Sequence, residues 1–167
     1  MGLLSFLKKR KQKQPAPKSY PLSRPEVMEL VTDVCSALGL QYRKLELCNA
    51  GIPTLLEENG VGGKAAVDLW LLGYISGFYD ASSQYRGMPF ELNALELIVS
   101  VLHNECDAEA AIREYHIARM SLEADREAAL LFGYDQFEAG MLAGGNEVFE
   151  WANKLSEPPF KLYQRYS

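Results

Sequence analysis

The sequence predicts an all-α fold, a single compact bundle of five to seven helices built around one central apolar helix. Three observations carry this. The segment 65–79, which runs into the stretch LWLLGYISGFYDASSQYRG (residues 69–87), carries one charge and is apolar on every side of a helix, which suits the middle of a bundle. Residues 107–132 contain neither proline nor glycine and are rich in Ala, Glu, Arg and Leu, the strongest helix formers. Finally, no stretch alternates apolar and polar residues in the manner of a half-buried strand.

Taken in order, the helices start at SRPE, where Ser23 and Glu26 have the spacing of a capping box. Val27, Leu30, Val31, Val34 and Leu38 follow at helical spacing, and Gly39 is the expected stop. Residues 41–63 read as one or two short helical turns between loops. The central helix is expected from Lys64 to about Gln84. A turn at RGMP precedes a helix from about Phe90 to His103, with Pro89 near its first turn. Asp107 is the expected cap of the next helix, which reads either as one long helix or as two with a joint near Asp125 or Gly133. The last long helix ends near Leu155, before EPPF. The expected organisation is therefore a basic tail and linker over residues 1–22, the helical domain over 23–156, and an aromatic tail over 157–167.

Charge narrows the function. Residues 1–18 carry Lys8, Lys9, Arg10, Lys11, Lys13 and Lys18 without an acid, so the net −5 conceals an acidic body. Such a body repels phosphates, which makes nucleic acid an unlikely partner. The apolar residues Leu3, Leu4, Phe6 and Leu7 precede the basic cluster, the reverse of a secretory signal. Beside those bases they suit a solubilising arm, a segment folded back on the acidic body, or an anchor on an anionic membrane surface through residues 1–18. The longest apolar run, near residues 65–79, contains Asp68 and is shorter than a membrane span of roughly 20 residues. Three cysteines without paired spacing, Cys35, Cys48 and Cys106, predict a reducing, cytoplasmic setting.

Gly73 and Gly77 stand four residues apart inside the central helix, each costing about 1 kcal/mol relative to alanine. With Ser76 they form a shallow strip that lets another backbone approach. Gly133, Gly140 and Gly144 form a second strip. The two strips are expected to meet each other, or one of them to receive a partner's helix, as small-residue strips do in membranes. A competing reading makes Tyr74, Tyr79, Asp80, Gln84 and Tyr85 the lining of a polar ligand cleft.

Nine of these residues, GYISGFYDA, resemble a helix in some bacterial immunity proteins that neutralise antibacterial effectors. The resemblance covers about a twentieth of the chain and implies a small helical inhibitor. Those proteins are usually exported and cysteine-bridged, a pattern from which this sequence departs.

Catalytic chemistry finds little support. HNECD places His103 and Cys106 three apart, but zinc needs three or four convergent ligands, and no metal or cofactor is expected. GVGGK lacks the first glycine and the Ser or Thr of a phosphate loop, since Glu58 and Ala65 stand there. Trp151, Phe160, Tyr163 and Tyr166 cluster near the C-terminus, either packed on the bundle or serving as a partner-binding arm. The reading is a non-enzymatic interaction module, an adaptor, regulator or immunity-like inhibitor, that offers an acidic and aromatic surface to a basic protein partner, with a homodimer as one outcome. The alternatives are a helical enzyme or ligand binder with a cleft at Tyr74, Asp80 and Tyr85, and a peripheral membrane protein tethered by its tail.

Overall fold

A computed structural model describes residues 19–57, 66–155 and 158–167. Its order is α1 (Pro25–Leu47), β1 (Leu56–Glu57), β2 (Ala66–Val67), α2 (Leu69–Tyr85), α3 (Leu92–Leu102), α4 (Glu105–Ala124), α5 (Arg126–Leu131), α6 (Tyr134–Ala152) and α7 (Lys161–Tyr166). The described residues thus form an all-α bundle, with one two-residue antiparallel ladder pairing Leu56 with Val67 and Glu57 with Ala66. None of its helices is long and apolar enough to cross a membrane.

At the centre lies α2. Asp68 caps it by accepting the Leu71 amide at 2.9 Å, and residues from Trp70 through Tyr79 are all buried. Its main partner is α6, and the two helices run parallel. A Cβ built on Gly73 would fall closer than 3.0 Å to the Phe137 carbonyl, and one on Gly77 closer than 3.0 Å to that of Met141. Reciprocally, a Cβ on Gly140 would strike the Trp70 carbonyl and one on Gly144 that of Tyr74. The hydrogens in place of those side chains point at carbonyl oxygens, the geometry of Cα–H···O contacts. Parallel neighbours cannot be joined by a short turn, so α3, α4 and α5 form the crossover between them. Aromatic rings fill the remaining space, with Phe90 stacked on Tyr115 at 5.7 Å and Tyr115 edge-on to Phe137 at 5.9 Å.

Several local expectations are corrected. Ser23 makes no capping box; its amide and hydroxyl both donate to the Glu91 carboxylate, and Arg24 is the N-cap of α1. Gly39 does not end α1, because Gln41, Tyr42 and Leu45 continue the buried stripe to Leu47. Residues 48–57, expected to hold short helical turns, instead form an irregular segment that ends in the first strand of the small ladder. Asn104, not Asp107, caps α4 by accepting the Asp107 amide at 2.9 Å. The long helical stretch is broken at both suggested joints. Asp125 takes an extended conformation and caps α5, while Gly133, with φ of 78°, turns the chain into α6.

Candidate functional site

α1 packs on α3, α2 and α7, and α6 is not among its main partners. A trough therefore opens between α1 and α6, floored by Phe78 of α2. Leu30, Val34, Ala37 and Leu40 form one wall; Val148 and Trp151 form the other. These α1 residues recur every three or four positions, the spacing of one helical face. The trough encloses about 510 Å³. A second hollow of about 630 Å³ shares Ala37, Leu40 and Trp151 with it and continues past Leu47 to Phe160, so the two form one groove. Leu40 is 63% exposed and Trp151 43% exposed on its rim.

The groove's ends differ in charge. At the end beside the N-terminal half of α1, Asp33 forms an ion pair with Arg86, and Glu29 and Glu26 stand exposed one and two turns earlier on the same side of α1. At the other end stand Arg43 and Lys44. The Lys44 ammonium also lies 4.5 Å above the Phe160 ring, a cation–π contact.

That second end is built by a buried polar network. The carboxylate of Glu147, 4% exposed, accepts the Tyr74 hydroxyl and the amides of Phe160 and Lys161, the last at 2.8 Å. Gln41 donates to the Tyr74 oxygen at 2.8 Å and accepts the Tyr163 amide at 3.2 Å. A buried carboxylate is tolerable only when donors of this kind replace water. Burial and then the Glu147 charge hold the Tyr74 phenol well above its usual range. At the other end of α7, the Tyr166 hydroxyl donates to Asp68 at 2.6 Å and Arg165 stacks on Trp70. Three polar anchors thus fasten the C-terminal segment to the bundle.

The sites expected from sequence fare differently. Gly73, Gly77, Gly140 and Gly144 meet across the α2–α6 contact. Gly133 stands apart at the start of α6, where an added Cβ would meet the Leu69 side chain at 3.7 Å rather than the backbone of α2. The buried Ser76 hydroxyl donates to the Leu72 carbonyl of its own helix at 2.7 Å. Tyr74, Tyr79, Asp80, Gln84 and Tyr85 do not line one cleft. Tyr74 and Tyr79 point about 140° apart around the helix. Tyr74 is sealed against Glu147, and the Tyr79 hydroxyl accepts the Glu91 amide at 3.2 Å. Asp80 and Gln84 pair with each other at 2.9 Å, and only Tyr85 borders the groove. Of the aromatic cluster, Phe160, Tyr163 and Tyr166 fold onto the bundle while Trp151 remains on the groove rim. His103 bonds the Tyr42 hydroxyl at 2.9 Å. Lys8, Lys9, Arg10, Lys11, Lys13 and the GVGGK segment lie outside the described residues.

Sequence reasoning missed the groove and the Glu147 network. The available signal was Leu40, Leu47 and Trp151, apolar residues off the main stripes, and a glutamate that follows Gly140 and Gly144 on one face of α6. No family model, curated protein or solved structure matches the chain.

Proposed function

We propose that this chain is a non-enzymatic protein-interaction module whose working surface is the groove between α1 and α6. Its ligand is an amphipathic helix of a partner protein, apolar along one face and basic at the end that meets Glu26, Glu29 and Asp33. One observation carries the reading: an apolar groove with Leu40 and Trp151 left exposed on its rim, although the neighbouring core is closed. Helix-in-groove recognition uses apolar anchors at i, i+3/i+4 and i+7 in this way, and complementary charge sets the orientation and association rate.

The test is titration of the purified chain with a synthetic leucine-rich helical peptide bearing lysines at one end, followed by Trp151 fluorescence. Binding is expected to weaken as salt rises, and Leu40→Glu is expected to weaken it at least about tenfold, or 1.4 kcal/mol. Because Leu40 is largely exposed, that variant is expected to melt like the parent. Absence of binding, or binding indifferent to Leu40→Glu, defeats the proposal.

A further inference from the structure

We propose that the α5–α6 corner of a second copy of this chain docks at the Arg43/Lys44 end of the groove, inserting Leu131 and Phe132. This inference rests on the groove being a docking surface and adds a head-to-tail contact between copies.

The corner is the first argument. Among the described residues Leu131 is the most exposed large apolar side chain, at 86%, and Phe132 follows it at 73%. Leu130 is half-exposed beside them, and Gly133, with φ of 78°, turns the chain away into α6. Three consecutive exposed apolar residues are a fault in a free surface unless something covers them. The corner is also held firmly, because Asp125 caps α5 and Arg126 pairs with Glu138 of α6 at 2.6 Å.

The second argument is distance. Phe132 precedes α6 and Trp151 stands at its end, with a helix of 19 residues between the corner and the groove's far wall. At 1.5 Å per residue they are about 28 Å apart, so the corner fits only another molecule's groove. Two different patches then meet, a heterologous contact that grows into chains or rings instead of stopping at a dimer.

Charge decides which end of the groove is used. Arg119 and Arg126 are spent on Glu123 and Glu138, and among the described residues Glu127 and Asp135, which flank the corner, make no ion pair. The corner is therefore acidic and is repelled by Glu26 and Glu29. Arg43 and Lys44 line the opposite end, and the rings beneath the Lys44 ammonium leave its charge uncancelled. Glu46, the acid nearest them on α1, lies about 160° round the helix from Lys44. A corner of three side chains covers less than about 1,200 Å², the range of weak and transient association. Copies seated this way compete with a partner helix, whose apparent affinity falls by the fraction of open groove.

Sedimentation velocity of the full chain from about 1 µM to about 1 mM, the span of weak dissociation constants, tests the proposal. The parent is expected to associate as concentration rises, and Arg43→Glu to weaken that association at least about tenfold, or 1.4 kcal/mol. Leu40→Glu, which blocks the groove, and the double variant Leu131→Ser/Phe132→Ser, which removes the corner, are each expected to stay monomeric. Both are expected to melt like the parent, since the changed side chains are exposed. Mixed together, they are expected to pair once, as a dimer that grows no further. Self-association that survives in either variant overturns the proposal, as does a mixture that stays monomeric. A parent that stays monomeric yet binds the lysine-bearing helical peptide sinks the contact between copies and keeps the groove. A parent that neither associates nor binds the peptide sinks both.

Discussion

Gly73 of α2 lies directly against the carbonyl oxygen of Phe137 of α6, with no room for a methyl group between them. The contact is between backbones, so relief by a side-chain rotation is not available. Gly77 repeats it one turn later against Met141.

Gly77→Ala and Gly140→Ala are accordingly expected to destabilise the bundle although alanine is the better helix former. Overpacking of this kind costs about 1–3 kcal/mol. At about 2–4 °C per kcal/mol for a chain of this size, the melting temperature is expected to fall by several degrees. Gly39→Ala, where a Cβ meets nothing within 4 Å, is the control and is expected to be neutral or stabilising. Thermal denaturation followed by circular dichroism makes the comparison.

Glu147 is the acceptor that fastens α7. Glu147→Ala strands the Tyr74 hydroxyl and the amides of Phe160 and Lys161, each loss costing about 1–3 kcal/mol when the group stays buried. The C-terminal segment is then expected to detach before the bundle melts. Limited proteolysis is expected to cut near residue 158 faster than in the parent. Glu147→Gln, which keeps the shape and one carbonyl acceptor, is expected to fall between the two.

His103 ties stability to pH. Burial lowers its pKa below 6.5, with Asp107 opposing weakly, and the ring bonds the Tyr42 hydroxyl. Since the unfolded chain takes up the proton first, the His103 contribution is fully present above pH 6.5 and is lost as pH falls through the folded value. Urea midpoints measured at pH 7.5 and pH 5 are expected to differ less in His103→Gln than in the parent. Identical pH dependence in both would remove His103 from the account.

Thiol chemistry gives a separate check on the packing of α1. Burial raises the Cys35 thiol to about 11, whereas Cys48 and Cys106 are exposed. Reaction with a chromogenic disulfide reagent at pH 8 is expected to show two fast thiols and one slow thiol, since the thiolate is the nucleophile. Denaturant is expected to equalise them.

Local spacing made the helices legible in the chain: Val27, Leu30, Val31 and Val34 mark the inner face of α1, and Asp125 and Gly133 mark real breaks. It was less reliable at helix ends, because competing partners lie far away in sequence. Ser23 is drawn to Glu91 rather than to its own helix, and Gly39 is carried through by the burial of Tyr42 and Leu45 beyond it. The five residues assigned to one polar cleft failed for a simpler reason. They sit at angles around α2 that face different neighbours.

The amino-acid sequence by itself determined that this chain is helical, with an apolar central rod and glycines placed for close approach, because periodicity and propensity act within a few residues. Tertiary structure alone decided that α2 and α6 run parallel, that Glu147 is buried beneath the C-terminal segment, and that α1 stands away from α6. Those outcomes depend on which faces meet across long stretches of chain, and a groove is a gap between such faces that no single segment encodes.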